Sequence, residues 1–318
     1  MRPPYDITPN ILKLISSVSA KIGEVSASYL DRPSPQLRKQ NRIQTIHSSL
    51  SIEGNTLSME QVSTILENKK VVGPQKDVKE VLNAIQVYEA LASFKASSEK
   101  SFLRAHKMLM DGLIEKPGAY RNRGVGVFQG SELAHVAPPA SSVPPLMKDL
   151  FAYLKSNDEL ALIKSCVFHY EIEFIHPFPD GNGRMGRLWQ TVILMEEYQV
   201  FAFLPFETLI SKTQRSYYKA LSQSDKSGKS TFFIEYMLGV IDQSLKELLH
   251  FNNRILKDTD RLNYFVSVAA ATFTRKDYMN VFKDISSATA SRDLKKGLKM
   301  KLFKKTGDKN KTVYELEE

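Results

Sequence analysis

Residues 160–198 read LALIKSCVFHYEIEFIHPFPDGNGRMGRLWQTVILMEEY, two apolar segments separated by a short, glycine-rich connection. In the first segment Ile163, Val167, Tyr170 and Phe174 recur three or four apart. That is the spacing of one helix face, so a helix is predicted from about Leu160 to Phe174. Pro177 forbids its continuation, because proline lacks the amide donor and restricts the residue before it. Beyond the connection Leu188, Val192 and Met195 restore the same spacing, which predicts a second helix from near Arg184 to about Tyr198. The centre of the chain thus reads as helix, loop, helix.

The connection, His176-Pro-Phe-Pro-Asp-Gly-Asn-Gly-Arg-Met-Gly-Arg187, concentrates groups suited to phosphate chemistry. Gly181, Asn182 and Gly183 precede a helix, so consecutive amide groups can turn inward as an anion nest at the positive end of the helix dipole. Arg184 and Arg187 lie three apart on the opening turn and can aim two guanidiniums at one group of phosphate oxygens. Asp180 offers a hard carboxylate oxygen where Mg²⁺ would bridge a phosphate to the protein through few protein ligands. His176, with an ordinary pKa of about 6.5, can take a proton from a hydroxyl near neutral pH. Phe178 is expected to point into the core and pin the loop. Neither a Walker A loop nor a GxGxxG after a strand is present, so the two commonest phosphate-binding signatures are missing.

Outward from the loop, helical spacing pervades most of the first 250 positions, as in Val62, Ile65 and Leu66, then Val78, Val81, Leu82, Ile85 and Tyr88. The fold is therefore expected to be mainly α. The exception is Arg121 to Pro145, RNRGVGVFQGSELAHVAPPASSVPP, which reads as a β-hairpin with its turn near Gly130 and Ser131, followed by an extended linker. From about Lys257 the texture changes to two short amphipathic helices, a basic run, and a turn at Gly307 and Asp308 between candidate strands. This is expected to be a separate module.

At 318 residues the chain can bury a sizeable core and should hold more than one domain. Hydrophobic and charged contents of 42% and 25% are those of a globular protein. No stretch approaches the roughly 18 uninterrupted apolar residues of a membrane span, and the N-terminal residues lack the pattern of a secretory signal. A cytoplasmic protein without a membrane partner is expected. The single cysteine, Cys166 in LIKSCVF, can form neither an internal disulfide nor a thiolate metal site and is read as a core residue. The formal charge of +9 suits a polyanionic partner, whether nucleotide, nucleic acid or an acidic protein surface.

The loop HPFPDGNGRMGR resembles the Fic signature HxFx(D/E)GNGRxxR at every defining position. The resemblance implies a helical Fic core over roughly residues 101–250 that binds ATP with Mg²⁺ and transfers AMP to Ser, Thr or Tyr hydroxyls of proteins, releasing pyrophosphate. It implies His176 as general base and Asp180 as metal ligand. It also implies an ATP-binding run of Gly181, Asn182, Gly183, Met185 and Gly186, with Arg184 on the β-phosphate and Arg187 on the γ-phosphate. Ser49-Leu-Ser-Ile-Glu53-Gly54 resembles the family's inhibitory pattern (S/T)xxxE(G/N) on a helix of about 41–54 within an N-terminal region of residues 1–100. The resemblance implies that Glu53 pairs with Arg187 and excludes the γ-phosphate, and Gly54 would end that helix. Gly118-Ala-Tyr-Arg121 and the hairpin through Val125, Gly126, Val127 and Phe128 resemble the family's flap (about 118–137), which docks a target by strand addition. Tyr217 and Tyr218, and less closely Asp225, resemble residues packed near adenine. Relatives of this kind often pair as homodimers.

Residues 257–318 resemble a winged helix, with Arg292, Lys295, Lys296 and Lys299 on the second helix, although the usual glycine before the first wing strand is missing. Such a module can bind DNA or a protein. Alternatives to AMP transfer are AMP removal at the same site, nucleotide sensing in a DNA-binding regulator, and a different transferred group.

Overall fold

The computed structural model describes residues 2–27, 35–129, 132–156, 158–253, 258–269, 271–282, 285–307 and 312–316. It divides into two compact units, Met1–Leu249 and His250–Glu318. The turn expected near Gly130 and Ser131, and Asp308 of the later turn, lie outside the described residues.

The first unit is helical: α1 (Pro9–Ala27), α2 (Pro35–Ile52), α3 (Met59–Leu66), α4 (Gln75–Glu89), α5 (Glu99–Leu109), α6 (Val143–Lys155), α7 (Ala161–Ile175), α8 (Asn182–Glu197), α9 (Glu207–Lys212), α10 (Gln214–Ser227) and all but the last turn of α11 (Thr231–Asn253). Between α5 and α6 runs an antiparallel hairpin of β1 (Gly126–Gln129) and β2 (Glu132–Val136). The paired helices α7 and α8 pack against each other at the centre, and α7 is buried on nearly every side. A helix apolar all round has no solvent face, which is why the two can serve as a rigid platform for the loop between them. The rings of Phe102, Phe168, Phe178 and Trp189 interlock there, with centroids 5.0–5.8 Å from that of Phe102. Phe178 is fully buried and anchors the loop as expected. Cys166 is likewise buried, and burial pushes its thiol up to about 12, so it is a packing residue.

One expectation is corrected. Pro144 and Pro145 do not lie in an extended linker but in the opening turn of α6. Amides at a helix N-terminus have no intrahelical acceptor, so proline loses nothing there and its fixed φ suits the turn.

The second unit contains α12 (Asp258–Val268), β3 (Thr272–Phe273), α13 (Arg275–Val281), α14 (Ser287–Lys299), β4 (Phe303–Thr306) and β5 (Val313–Leu316). Its strands pair antiparallel in the order β3-β5-β4. Leu262, Phe265, Phe273, Tyr278, Leu294 and Phe303 form its own core. Inside that core Arg261 donates to both carboxylate oxygens of Asp293 at 2.7 and 3.0 Å, and the Tyr278 hydroxyl donates to Asp293 at 3.0 Å. Where the glycine was missed before β4, Lys301 adopts a left-handed φ of +55°. Among the four basic residues noted on α14, Lys296 is bridged to Asp258 at 2.7 Å.

Candidate active site

The loop between α7 and α8 is held from three directions. At its start His176 caps α7 in the left-handed conformation, φ +50°, which is costly for a residue with a Cβ and persists only where surroundings fix it. The fixing group is Arg121. Its Nε donates to the His176 carbonyl at 2.7 Å, and its Nη2 to the carbonyls of Ile175 at 3.2 Å and Pro138 at 2.5 Å. Its Nη1 donates to the Arg123 carbonyl at 2.9 Å. One guanidinium therefore ties the end of α7 to both ends of the hairpin.

In the middle of the loop, Asn182 closes a small ring, its Oδ1 accepting from the Phe178 amide and its Nδ2 donating to the Phe178 carbonyl, both at 2.9 Å. His106 of α5 stacks on the Phe178 ring with centroids 3.5 Å apart. It accepts from the Gly118 amide at Nδ1, 2.9 Å, and lies 3.0 Å from the Asp180 carbonyl at Nε2. An amide can only donate and a carbonyl only accept, so Nε2 carries the proton and His106 is neutral. Burial agrees, holding its pKa down at about 4. Gly181 takes a φ of +86° immediately before α8, which turns the chain into the helix at a position a side chain would strain.

Arg184 and Arg187 project from the first turns of α8, and both are buried. Arg184 pairs with Glu80 of α4 and with Asp180, each at 3.0 Å. Arg187, 0% exposed, donates from Nε to the Ser49 hydroxyl at 3.0 Å and from Nη2 to the Ser49 carbonyl at 2.9 Å. The same Nη2 donates to Glu53 at 2.7 Å. Burial acts to depress its pKa, but Glu53, Tyr217 and Glu173 together outweigh burial and raise it, which keeps the guanidinium charged. Two buried donors in this cluster, Arg184 Nε and Arg187 Nη1, have no hydrogen-bond partner among the described residues. Buried donors normally have partners, so the pair marks a place built for an acceptor the chain does not itself supply. A phosphate oxygen has the right charge and bonding capacity.

Glu53 ends the inhibitory-pattern segment: α2 stops at Ile52, and Gly54 follows at φ +89° with its amide donating to the Ser51 carbonyl. A Cβ placed on Gly183 would lie 2.5 Å from Glu53 Oε1, so the carboxylate rests over the N-terminus of α8. That is where an anionic ligand would be drawn. Glu173 of α7 faces the same spot. Its pKa is pushed up to about 7, first by burial and then by the Glu53 charge, and its carboxylate accepts from the Tyr217 hydroxyl at 2.7 Å. Tyr217 continues to His169 at 3.0 Å and His169 to Gln190 at 2.7 Å, a buried chain behind the loop. Burial holds His169 at about 3 and therefore neutral.

The structure thus brings His176, Asp180, Gly181, Asn182, Gly183, Arg184, Arg187, Ser49, Glu53 and Gly54 into one neighbourhood. Met185 is buried in the core, and Gly186 gives its space to the His169 ring, so both serve packing. Tyr217 is buried behind the loop, Tyr218 is half-buried beside it, and Asp225 accepts from the Tyr170 hydroxyl at 2.8 Å. Val125 precedes β1, and Gly126, Val127 and Phe128 lie on it, the ladder shifting register between Val127 and Phe128. Among the described residues the hairpin is two-stranded, which leaves a backbone edge on each strand. Sequence reading missed Arg121 as the hub, as well as Glu80, His106 and Glu173. Each works through partners far along the chain, as with Glu80 and Arg184, 104 positions apart. No trio of metal-ligating side chains occurs among the described residues. Asp180, with its side chain 47% exposed and only Oδ1 bonded among the described residues, fits an ion held mostly by a ligand's phosphates. No helix among the described residues is long and apolar enough to cross a membrane.

Comparison with known proteins agrees with this geometry. The pattern of the Fic/DOC family matches residues 96–194. A Fic family protein from Desulfovibrio desulfuricans G20 is 38% identical, with a TM-score of 0.79 over 100% of this chain and 98% of that one. The chain belongs to the Fic family. Among curated proteins it is similar to the protein adenylyltransferase Fic of Nematostella vectensis, 26% identical over 76% of this chain and 58% of that protein. It is also similar to the protein adenylyltransferase fic-1 of Caenorhabditis elegans, 29% identical over 64% of this chain and 40% of that protein. The chain therefore spans about half the length of the curated relatives it matches.

Proposed function

We propose that the chain is a Mg²⁺-dependent protein adenylyltransferase held in check by Glu53. The observation that carries this reading is the buried Arg187 fork, occupied on one side by Glu53 at 2.7 Å and unpartnered at Nη1. A carboxylate in that fork competes with a phosphate for the same donors. With Glu53 withdrawn, Arg187 and Arg184 would hold the β- and γ-phosphates of ATP while the α8 N-terminus draws the charge. His176 would take the proton of a target Ser, Thr or Tyr hydroxyl as its oxygen bonds to the α-phosphorus. The bond from that phosphorus to the bridging oxygen breaks in line, and pyrophosphate leaves with the electron pair. Asp180 is the residue that would hold the metal, which when bound neutralises phosphate charge. The hairpin edge would align the target's backbone by strand addition.

Incubating wild type, Glu53→Gly and His176→Ala with labelled ATP and Mg²⁺, then measuring intact mass and label on added protein, tests the reading. Label should rise at least about tenfold in Glu53→Gly, the scale expected when a blocked transition-state donor is restored, and vanish in His176→Ala. Equal labelling of wild type and Glu53→Gly would remove the inhibitory role. Label loss from pre-modified protein only, with no gain, would favour AMP removal.

For the second unit we infer a winged helix. The order helix, strand, two helices, then two strands supports it, as do the exposed Lys295 and Lys299 of α14. Salt-sensitive retention of duplex DNA, lost in Lys295→Glu/Lys299→Glu, would assign it to nucleic acid, and its absence to protein contacts.

A further inference from the structure

Glu173 is used by no step proposed above, although it stands beside the groups that are. It lies one turn before His176 on α7, and its backbone carbonyl is 3.4 Å from His176 Nδ1. Its side chain reaches α8. The place a Cβ would take on Gly183 is 2.5 Å from Glu53 Oε1, 3.1 Å from Arg187 Nη1 and 3.2 Å from Glu173 Oε1. Three ionisable groups therefore converge on one point at the first turn of α8, and only a glycine leaves that point open. Glu173 can be reached from it, because the side chain is 15% exposed. Oε1 accepts from the Tyr217 hydroxyl at 2.7 Å, while Oε2 is unbonded among the described residues and is open to solvent.

Charge decides what Oε2 can do. Glu53 and Arg187 neutralise one another, so an ionised Glu173 would add an uncompensated charge in a mostly buried place. Burial, and next the Glu53 charge, push the Glu173 carboxyl up to about 7 against the pull of Tyr217 and Arg187, and Asp225 of α10 adds to the push. The hydroxyl, imidazole and guanidinium that face it do not change state near neutrality. Burial raises Tyr217 well above its ordinary value and holds His169 at about 3, and Arg187 stays charged. Near pH 7 about half of the molecules therefore carry a proton on Glu173. With Tyr217 donating to Oε1, that proton belongs on Oε2.

We propose that Glu173 is a phosphate-binding residue of the transferase site, donating a hydrogen bond from Oε2 to the terminal phosphate that takes the place of Glu53 beside Arg187. This rests on the reading of Glu53 as the group that excludes that phosphate. An ionised carboxylate here would repel a phosphate, whereas a protonated one supplies a donor that neither arginine provides. Glu53 and the phosphate are both anions at one position, so the proton that lets Glu173 tolerate the first serves it equally toward the second.

The probe is α,β-methylene-ATP with Mg²⁺, which cannot release pyrophosphate, titrated by calorimetry into the full chain carrying Glu53→Gly. The matching ADP analogue lacks the terminal phosphate. Affinity for the ATP analogue should fall about tenfold between about pH 6.5 and pH 8.5 as the Glu173 proton is lost. Binding at the upper end should take up a proton, read from titrations in two buffers of different ionisation enthalpy. The ADP analogue should show neither effect, a comparison that needs no change at Glu173. In Glu53→Gly/Glu173→Gln the amide keeps a donor that cannot titrate, so the pH dependence should vanish and the affinity at high pH should exceed that of Glu53→Gly. A residue that only supports α7 would leave the slope as it was. The same slope for both nucleotides, or a slope that survives Glu173→Gln, would overturn the contact. Equal affinity of wild type and Glu53→Gly for the ATP analogue would instead remove the inhibition by Glu53, while the slopes would still decide for or against Glu173.

Discussion

Gly186 leaves no room for a side chain. A Cβ there would lie 2.4 Å from Cδ2 of His169, whose ring is fixed by Gln190 and Tyr217 and cannot swing aside. Gly186→Ala is therefore expected to destabilise the first unit by about 1–3 kcal/mol, the range for overpacking a core, measurable by denaturant unfolding. Glu207 makes a prediction about pH. Its folded pKa of about 8 lies above the ordinary value of 4.5, so its contribution to stability is complete below about pH 4.5 and is lost as pH rises through about 8. Glu207→Gln cannot titrate. Its Tm relative to wild type should rise by several degrees between pH 5 and pH 9, and a constant difference would contradict the burial argument. The loop from His176 to Arg187 was legible because its groups are contiguous and each residue type has a chemical reason to be there. Arg121, Glu80 and Glu173 were not, since a long-range hydrogen bond leaves no period or spacing in the chain. Glu207 was invisible for a further reason: a glutamate in PFETLI looks like an ordinary helix-start acid until the fold buries it.

Among the elements, α2 and the turn that follows it carry two separate faces, Ser49 and then Glu53 toward α8, and Arg38, Arg42 and Thr45 toward a cavity between α2, α4 and α9. The connection from α2 into α3 is tightly fixed. The Thr56 amide and hydroxyl both donate to Asp77, at 2.8 and 2.6 Å, and Ser58 and Gln61 close a capping box at the start of α3. Ser58→Ala should cost about 1 kcal/mol by removing that cap, visible as a lower unfolding midpoint with an unchanged denaturant slope. Helical periodicity placed α7 and α8 to within two residues, because long amphipathic or wholly apolar runs are unambiguous. Pro144 and Pro145 in the first turn of α6 misled the reading because two prolines in succession suggest extended chain, whereas only their position relative to the helix start decides.

For the molecule as a whole, two separate cores imply two unfolding events. Asp293→Asn leaves the buried Arg261 without its carboxylate and should destabilise the second unit by about 3–5 kcal/mol, the cost of breaking a buried pair. Calorimetry of the full chain should then show one transition shifted down and the other, belonging to residues 1–249, unmoved. A common shift of both would mean that the units unfold together. In the later segment core residues such as Phe265 and Phe273 pack against each other, with ring centroids 4.7 Å apart.

The Arg121 fork has a consequence for anyone wishing to exchange the hairpin for another. Its four acceptors lie on Arg123, Pro138, Ile175 and His176. A graft that replaced Arg123 or Pro138 with a differently placed carbonyl would release the end of α7 and, with it, the backbone of His176. The transplantable cassette therefore runs from residue 124 to 137, and its seams, not its length, decide whether the recipient keeps its chemistry.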